Sequence, residues 1–596
     1  MCGIFGIVTK TDRQLGPTLI EAGRSLSYRG YDSVGCATIN TQGEIDLRKD
    51  VGRVDDVARN LNFAEMTGQR GMLQLRWATF GEPSQINAQP HLDSNGSMVG
   101  AHNGNVVNNV ELRQEFIAEG MTVRSTNDGE SCVHAVERYV RQGMDMVDAI
   151  RHAYQDLQGD YAFVIGKASE DRLYAFKKGS GLVAGLAEDA TVISSDLPSI
   201  LPLTRKIMRI EDGEIVIFWA DGLELRRVSD GSRIARQPEI ITESMEAAQK
   251  GGYAHFMEKE IHEEPKVAIE LLHLLENSSD VQPMLERIRK ARHLYFVGCG
   301  TSYNACMMGS VYFSRLAGCV SIPVLAPQFS AQYGPALGPE DVGIFVSQSG
   351  ETKDVLNAVQ TAKAKGMTVF SLVNVIGSTL TKVSEHHLPM GCGYEISVPA
   401  TKTFTNQVIS FLYLALRLGG HDTAILKTLP ELMEQTIKSS LAQVQTIEEK
   451  MKPWESLYCL GYGLSYPMAL EGALKIKEIT YAHCEGMLST EFKHGPLAAV
   501  TQGYPILFVV DPENVPLIIS GVNEVTCRGG WAIAIGEDDP RLHANAHHVI
   551  TVPHAAPELV ALLNVLPLQV LSYRLSLARG FDPDFPRNLS KTLTVD

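Results

Sequence analysis

The pattern of apolar and polar positions changes character between residues 233 and 250. Before it, short β-like runs at 71–76, 161–166 and 215–219 alternate with turn residues. Helix-like spacing interrupts these runs at 110–119 and 129–142. This mixture predicts an α+β layered domain, and the polar, charged stretch that follows predicts a linker.

After residue 250 the pattern becomes strand, small polar loop, helix, and it recurs. Apolar runs at 293–298, 343–347 and 367–373 fit strands of a parallel sheet with helices on both faces. A second set of strands begins at 457–461, and Gly298-Cys-Gly-Thr-Ser-Tyr303 and Gly461-Tyr-Gly-Leu-Ser-Tyr466 share the spacing G-x-G-x-S-Y. The chain therefore predicts two copies of one α/β module, divided near residue 420.

Length and charge narrow the classes of function. The 596 residues are too many for one core, and the net charge of -16 disfavours nucleic acid or an anionic membrane as main partner. Ten scattered cysteines without a CxxC pair are typical of free thiols in a reducing compartment. With no signal peptide and no apolar run of about 20 residues, we expect a cytoplasmic protein.

Two loops of the first α/β module have the composition of phosphate-binding loops. Both the loop 299–302 and the loop 347–352 follow a strand and precede a helix, where free N–H groups and the helix dipole attract an anion. A nucleotide triphosphate is disfavoured because GxxxxGK[ST] is absent, and a dinucleotide because Tyr303 replaces the third glycine of GxGxxG. A capped turn is the alternative for one loop, but two loops in register favour a small phosphate ester.

Candidate acid–base groups lie in the second α/β module. Glu471, Lys475 and Glu478 fall on one face of a predicted helix, where a solvated ion-pair stripe is the alternative interpretation. His494 follows in a loop; it could transfer protons near neutral pH or be an ordinary loop histidine.

Cys2 directly follows the initiator methionine. Aminopeptidases remove Met1 before a small residue, so we expect a mature chain that begins with this cysteine. Its α-amine, with a pKa near ~8, could act as general base for its own thiol. A buried cysteine at the start of a strand is the alternative.

With these residues in view, the chain resembles the glutamine:fructose-6-phosphate aminotransferase (isomerizing) family, also called glucosamine-6-phosphate synthases. The similarity runs from Cys2 to the C-terminus. It is carried by the segments MCGIFGIV, Ser27-Tyr-Arg-Gly-Tyr-Asp-Ser33, Arg76-Trp-Ala-Thr79, His102-Asn-Gly104, CGTSYN, SQSGET, ALEGALKIKE, EFKHGPLA and Pro586-Arg-Asn-Leu-Ser-Lys591. Their order and coverage make an accidental similarity implausible.

The resemblance implies an α+β N-terminal-nucleophile (αββα) glutaminase domain followed by two α/β parallel-sheet sugar isomerase (SIS) domains. Our expected boundaries are a class II glutamine amidotransferase domain at 2–235, a linker at 236–252, SIS domains at 253–420 and 421–581, and a tail at 582–596. A homodimer is expected, acting on L-glutamine and D-fructose 6-phosphate, with no metal and no cofactor. Pyridoxal phosphate is not implied, because the imine nitrogen comes from ammonia.

The resemblance also assigns roles in the glutaminase domain. Cys2 would attack the glutamine amide, and Asn103 and Gly104 would form the oxyanion hole. The α-carboxylate and α-amino group of glutamine would be held by Arg76 and Asp128, and an internal ammonia channel would be gated by Trp77.

In the synthase half, the resemblance assigns the sugar phosphate to Thr301, Ser302, Ser347, Gln348, Ser349, Thr352 and Val398. His494, reaching in from a neighbouring subunit, would open the fructose ring, and Lys591 would form a Schiff base at C2. Glu478, assisted by Lys475, would move a proton from C1 to C2.

The chain departs from the family pattern at a few positions. Histidine is usual where Phe80 and Gln89 stand, threonine where Asn127 and Gly129 stand, and serine where Ala400 stands. We expect Phe80 and Gln89 to affect loop packing and not to supply an acid or base. Coupling between the domains and the fit around Ala400 are the properties that these departures put in question.

Two other functions are compatible with parts of this pattern. The first is the same chemistry on another ketose phosphate, which product analysis would distinguish. The second is a sugar-phosphate-binding regulator, which would need a DNA-binding segment that the acidic N-terminal half does not offer, and which would leave Lys591, Glu478 and His494 without a purpose.

Overall fold

The computed structural model describes residues 2–241 and 250–591. These residues form two compact units, one up to residue 241 and the other from residue 250. Each unit has its own sheets and its own core, so each is described by itself.

The first unit consists of two antiparallel sheets with helices on their outer faces. Its helices are α1 Gly16–Leu26, α2 Val54–Asn60, α3 Asn109–Ala118, α4 Asp128–Arg141 and α5 Met146–Asp156. Its strands are β1 Gly3–Gln14, β2 Ser33–Ile39, β3 Ile45–Val51, β4 Thr67–Arg76, β5 His91–Leu92, β6 Met98–Val106, β7 Gly159–Lys167, β8 Leu173–Lys178, β9 Val183–Leu186, β10 Ala190–Ser194, β11 Lys206–Arg209, β12 Glu214–Trp219, β13 Gly222–Arg227, β14 Arg233–Ile234 and β15 Glu239–Ile240.

The two sheets pack face to face. Over the described residues, the first has the order β15-β11-β9-β10-β1-β4-β2-β3 and the second β14-β13-β12-β8-β7-β6-β5. Ile4 and Met72 of the first sheet share a core with Val164 and Val216 of the second. On the outer side of the second sheet, α4 and α5 cover a separate apolar cluster around Phe163. The predicted αββα layering is therefore confirmed.

The helices of this unit are more numerous than the sequence predicted. The predicted segments 110–119 and 129–142 correspond to α3 and α4, but α1, α2 and α5 were not predicted. Strand β15 pairs with β11, so the sheet continues into residues that we expected to belong to the linker 236–252.

The second unit contains two parallel sheets and long helices. Its helices are α6 Phe256–Glu276, α7 Val281–Arg289, α8 Gly300–Ala317, α9 Ala326–Tyr333, α10 Lys353–Ala364, α11 Thr379–Val383, α12 Lys402–Gly419, α13 Leu429–Met451, α14 Ser465–Thr480, α15 Val515–Thr526, α16 Pro540–Asn545, α17 Pro557–Leu563 and α18 Val565–Ala578. Its strands are β16 Leu294–Gly298, β17 Ile322–Leu325, β18 Val342–Ser347, β19 Thr368–Val373, β20 His386–Pro389, β21 Ser456–Gly461, β22 His483–Leu488, β23 Pro505–Val509, β24 Trp531–Glu537 and β25 His548–Val552.

The two sheets have the same topology. Their orders are β17-β16-β18-β19-β20 and β22-β21-β23-β24-β25, and all neighbouring strands run parallel. We call the part built on the first sheet module 1 and the part built on the second module 2. The predicted duplication is confirmed.

One apolar core joins the two modules. Buried residues of α8, α12, α14 and α18 belong to a single cluster. The stretch Pro557–Ala578 is long and apolar enough to cross a membrane, but 94% of its most apolar window is buried inside the protein. Its composition is explained by this burial, since a helix surrounded by protein is apolar on all sides.

Candidate active sites

Cys2 lies at the centre of the first unit, directly before β1. Its side chain is buried, and its carbonyl accepts a hydrogen bond from Arg29 Nε at 3.1 Å. Arg29 is itself paired with Asp196 at 3.2 Å, so the Ser27–Ser33 motif holds the backbone of Cys2 in place. The backbone N–H of Trp77 donates to Cys2 Sγ at 3.4 Å.

Burial favours the protonated form of the Cys2 thiol. Burial raises its pKa, and the nearby Asp128 carboxylate raises it further, while the backbone N–H of Trp77 and the charge of Arg76 oppose the shift. A thiol with a raised pKa becomes a nucleophile only when a neighbouring base removes its proton. The site therefore needs a general base close to the sulfur.

Asp128 is fixed at the first position of α4. Its Oδ2 accepts a hydrogen bond from the backbone of Val106 at 2.9 Å and lies 3.5 Å from His102 Nε2. Burial is the main cause that lowers the pKa of His102, so this histidine is a neutral neighbour of the carboxylate. The carboxylate is thus free of a cationic partner on this side and can bind an ammonium group.

Arg76 ends β4 and orders the loop that follows it. Its guanidinium donates to the carbonyl oxygens of Phe80, Gly81 at 2.6 Å and Glu82 at 3.3 Å. The predicted role at the carboxylate of glutamine stays a prediction. The structure adds that the same guanidinium holds the backbone of Phe80, one of the positions where histidine is usual in the family.

Asn103 and Gly104 lie side by side on β6. The carboxamide of Asn103 is buried, and neither its nitrogen nor its oxygen has a partner among the described residues. Gly104 has φ +113°, and a Cβ at this position would overlap the carbonyl oxygen of Asp160. A buried amide without a partner is costly unless a ligand satisfies it. With a backbone N–H beside it, such an amide can stabilise an oxyanion.

In the second unit, the loop after β18 presents hydroxyl groups at the N-terminus of α10. Ser347 Oγ and Thr352 Oγ1 lie 2.9 Å apart, and the N–H of Gly350 donates to Ser347 Oγ at 3.0 Å. The N–H of Glu351 donates to Ser349 Oγ at 3.1 Å. Gly350 has φ +68°, and only glycine fits because a Cβ would overlap Ser378. This is the geometry of an anion-binding turn.

Helices α8 and α14 bring a second group of polar side chains together. Thr301 Oγ1 donates to Glu471 Oε1 at 3.0 Å, and Asn304 donates to its other oxygen at 2.8 Å. Lys475 Nζ donates to Thr301 Oγ1 at 3.1 Å and to Glu478 Oε2 at 2.5 Å. The interpretation as a solvated ion-pair stripe is wrong, because Glu471 and Lys475 are buried.

The charges of this group depend on each other. Burial raises the pKa of Glu471, which Lys475 opposes. Burial alone would lower the pKa of Lys475, but the carboxylates of Glu478 and Glu471 raise it above its usual value. Lys475 is therefore a permanent cation that orients Glu478.

Lys591, on the C-terminal tail, lies in the interior of the second unit beside other charged side chains. Its ammonium group pairs with the buried carboxylate of Glu395, whose Oε1 also accepts from the backbone of Thr403 at 3.0 Å. The charge of Glu395 also contributes to the raised pKa of Lys475, so this carboxylate acts on both lysines. Asp584 holds the tail, because its carbonyl accepts from the N–H of Val398 at 2.9 Å.

The carboxylate of Asp584 accepts hydrogen bonds from the first N–H groups of α6. Phe256 and Met257 each donate to Asp584 at 2.8 Å. The start of the tail is thereby tied to the helix that precedes module 1. Val398, expected at the sugar phosphate, lies at this junction.

His494 is placed differently from the other predicted residues. It lies in the turn after β22 and is exposed. Within the described residues, the hydrogen bonds and ion pairs that connect Thr301, Lys475 and Glu478 do not include it.

Glu471 was predicted with Lys475 and Glu478 as a candidate acid–base group, and the structure places it 3.5 Å from Lys475. Two further residues of the charged interior of the second unit, Asn304 and Glu395, were not predicted. Asn304 and Glu395 gave no sequence signal, because their partners are far away along the chain. Over the described residues no group of three or more His, Cys, Asp and Glu side chains could hold a metal ion.

Comparisons with known proteins agree with this division of the chain. A family model described as "Glutamine amidotransferase domain" matches residues 76–202, and one described as "SIS domain" matches residues 287–417 and 450–579. The glutamine–fructose-6-phosphate aminotransferases (isomerizing) of Methanothermobacter thermautotrophicus and Pyrobaculum aerophilum are each 38% identical to this chain. Both alignments cover 100% of this chain and 100% of the relative.

The chain belongs to this family. The resemblance inferred from the motifs is thereby confirmed. Among solved structures, the C-terminal domain of glucosamine-fructose-6-phosphate aminotransferase from Francisella tularensis is 30% identical, with a TM-score of 0.52. It covers 56% of this chain and 99% of its own length. This likeness supports the assignment of the second unit as the part that carries the two SIS domains.

Proposed function

We propose that the chain converts D-fructose 6-phosphate and L-glutamine into D-glucosamine 6-phosphate and L-glutamate. Its family and its two SIS domains support this function. The observation that carries the proposal is the convergence of Glu471, Lys475 and Glu478 with Thr301 inside the second unit. A glutaminase alone would have no use for this buried acid–base group.

The first half-reaction releases ammonia. The α-amine of Cys2 takes the thiol proton, and the sulfur attacks the side-chain amide carbon of glutamine. Asn103 and the N–H of Gly104 stabilise the negative oxygen that forms. Collapse of this intermediate expels ammonia and leaves a thioester, which water hydrolyses to glutamate. Asp128 and Arg76 hold the α-amino group and the α-carboxylate.

The second half-reaction uses that ammonia. The phosphate is bound by the hydroxyl-rich turn of Ser347, Ser349 and Thr352, with Gln348 beside them, and by Thr301 and Ser302. His494 opens the ring, and the amine of Lys591 condenses with the C2 carbonyl and releases water. Ammonia then displaces the lysine from the imine.

The last step turns the ketose imine into an aldose. Glu478 takes a proton from C1 while the imine nitrogen gains one, which gives a C1=C2 enaminol. Return of a proton to C2 with loss of the proton on O1 leaves an amino group at C2 and an aldehyde at C1. Lys475 lies within 2.5 Å of Glu478 and stabilises its charge before the transfer. Neither the displacement of lysine by ammonia nor the proton transfer from C1 to C2 changes the overall oxidation state of the sugar. No redox partner is therefore required.

The proposal includes an assembly and a location. A homodimer accounts for His494, which is exposed on one chain and is needed at the sugar of the other. The domain boundaries 2–235, 253–420 and 421–581, with Lys591 on the tail, remain part of the proposal. A cytoplasmic location fits the ten cysteines, all of which are free thiols.

Two substitutions test the function by separating its halves. Cys2→Ala should abolish glutamine-dependent synthesis while the protein still interconverts fructose 6-phosphate and glucose 6-phosphate. Lys591→Ala should keep glutamine hydrolysis and make no glucosamine 6-phosphate. If Cys2→Ala retained glutamine-dependent synthesis, the assignment of the nucleophile would be wrong.

A further inference from the structure

Among the residues that the structure describes, strand β6 has no neighbouring strand on one side just before the residues assigned to the oxyanion hole. It pairs with β7 from Met98 to Val106, but it pairs with β5 only at Val99 and Gly100. The next residue with backbone groups on the β5 side is His102, which is buried. Buried N–H and C=O groups need partners, so something other than a strand has to bind them.

The side chain of Gln89 takes the place of the missing strand. The N–H of His102 donates to Gln89 Oε1 at 2.7 Å, and Gln89 Nε2 donates to the carbonyl of His102 at 3.1 Å. A carboxamide offers one acceptor and N–H donors, like a peptide group. Because Gln89 precedes β5 by two residues, its side chain continues the pairing that β5 begins.

Two glycines make room for this residue. A Cβ at Gly129 would lie 2.5 Å from Gln89 Oε1. At Gly35, a Cβ would overlap the carbonyl oxygen of Gln89. Neither glycine has a positive φ, so close contacts are what exclude a side chain there. Gln89 is the nearest contact at both positions, and Lys49 Cβ at Gly35 and Asn127 Oδ1 at Gly129 lie almost as close.

Lys49 holds the backbone on both sides of Gln89. Its Nζ donates to the carbonyl of Ala88 at 2.5 Å and to that of Pro90 at 3.0 Å. Gln89 is thus placed by contacts from β2, β3 and α4. A residue held from so many elements can transmit a fixed position to the strand that it contacts.

The side-chain amide of Gln74 also binds the backbone of His102. Gln74 of β4 donates from Nε2 to the carbonyl of His102 at 3.1 Å. His102 is therefore held by one glutamine from the opposite sheet and by another from the loop before β5. Asn103 and Gly104 follow immediately on the same strand.

We propose that Gln89 is a positioning residue for glutamine hydrolysis, which fixes the peptide of His102 and through it the donors of Asn103 and Gly104. This inference rests on the glutaminase half of the proposed function. A shift of about 1 Å in a catalytic group can cost roughly 100-fold in rate. An amide suits this role because its oxygen and nitrogen project from one carbon toward the N–H and C=O of a single residue, whereas the two ring nitrogens of a histidine point in divergent directions.

The test compares Gln89→Ala with Gly129→Ala. The first removes the amide, and the second pushes it out of place. Glutamine hydrolysis is measured as kcat and KM per active Cys2, counted with a thiol-alkylating glutamine analogue. We expect each variant to lose about 10- to 100-fold in kcat with little change in KM.

A matched control is Gln85→Ala, which removes an exposed glutamine from the same loop and should behave like the parent. Parental kcat per active Cys2 in Gln89→Ala would overturn the inference. If that variant does not fold, parental kcat in Gly129→Ala does the same. Retained hydrolysis in Cys2→Ala would instead contradict the proposed function, so the two failures are distinguishable.

Discussion

Modules 1 and 2 have the same sheet order and the same loop spacing but different side chains at the loops. Val297 of β16 pairs with Phe345, and Leu460 of β21 pairs with Phe508. When Gly298 is aligned with Gly461, the two modules therefore correspond residue by residue from the first loop through the second without a gap. Each residue of module 1 in this range can therefore be compared with its counterpart in module 2.

The loop after β18 in module 1 carries the hydroxyl groups that we propose bind the sugar phosphate, whereas the corresponding loop after β23 in module 2 has none. Opposite Ser347, Ser349 and Thr352 of module 1 stand Val510, Pro512 and Val515 of module 2.

Module 2 instead fills the turn with its own carboxylate. Asp511 Oδ1 accepts from the N–H groups of Glu513 and Asn514 at 3.1 Å each. Burial raises its pKa, and the amide of Asn514 opposes this shift. A site that already contains a carboxylate repels a phosphate.

The paired helices differ in the same way. α14 carries Glu471, Lys475 and Glu478, whereas the aligned positions of α8 carry Met308, Tyr312 and Arg315. α8 in turn supplies the polar Thr301 and Asn304, whose counterparts are Leu464, just before α14, and Pro467 in its first turn. In the site that we propose, the acid–base groups therefore come from one module and the hydroxyl-rich loops from the other. The two modules share one fold but carry different polar side chains at these positions.

The largest effect should come from Glu478→Gln. The amide cannot accept a proton, so conversion of fructose 6-phosphate to glucose 6-phosphate and synthesis of glucosamine 6-phosphate should fall by about 10²- to 10⁴-fold. Glutamine hydrolysis should be unchanged. Arg315→Gln, at the aligned position of α8, is the control and should stay near the parent. A loss of less than tenfold in Glu478→Gln would show that another group moves the proton.

The second-largest effect should come from removing the hydroxyl groups of Ser347 and Thr352 in module 1. Ser347→Ala with Thr352→Ala deletes two hydrogen bonds to a charged ligand, so the KM for fructose 6-phosphate should rise by roughly 100-fold. The control is Val515→Thr, which adds a hydroxyl at the position of module 2 that corresponds to Thr352 and should leave this KM unchanged. An unchanged KM in the double variant would place the phosphate elsewhere.

A buried carboxyl group of α6 lies behind the loop that follows β20 of module 1. Glu260 Oε1 accepts from the N–H groups of Ile396 at 2.5 Å and Ser397 at 3.2 Å. Burial, reinforced by the charge of Glu395, raises the pKa of Glu260 to about 8, against the opposing charges of Lys591 and Lys402.

The folded chain therefore keeps a proton that the unfolded chain releases above pH 4.5. Stability should fall as the pH rises from 4.5 to about 8 and level off above it. Glu260→Gln removes this titration, so its stability relative to the parent should rise by about 2–3 kcal/mol between pH 6 and pH 9. Thermal midpoints at these two pH values measure it. Parallel midpoints for parent and variant would mean that Glu260 is ionised in the folded chain.

The smallest effect should come from Asp511→Ala in module 2. Loss of this cap should lower the free energy of unfolding by about 1–2 kcal/mol and leave the KM for fructose 6-phosphate unchanged. Asp538→Ala, which removes an exposed aspartate of the same module, is the control. A change of KM in Asp511→Ala would show that module 2 also binds substrate.

The sequence predicted the features that depend on neighbours along the chain. The two modules followed from strand–loop–helix order, and α14 from regular apolar spacing. Helix α5 also had a signal, since Asp145 caps it and Met146, Ala149, Ile150 and Ala153 form its buried face. We did not predict this helix because the apolar pattern of the first unit consists mainly of β-like runs.

Contacts between distant residues could not be predicted in this way. Glu395 meets Lys591 and Glu471 meets Thr301 across long stretches of chain, and no local pattern marks either pair. Gln89 could be recognised only as a departure from its family. Its pairing with His102 follows from where β5 ends, which the sequence does not reveal.

The most direct test of the account follows the nitrogen atom. The chain is given glutamine labelled with ¹⁵N at its side-chain amide, together with fructose 6-phosphate, and the sugar product is analysed by mass spectrometry. We predict glucosamine 6-phosphate that carries ¹⁵N, formed together with glutamate, and no labelled sugar from Cys2→Ala. Unlabelled glucosamine 6-phosphate, or glutamate formed with no amino sugar at all, would contradict the account.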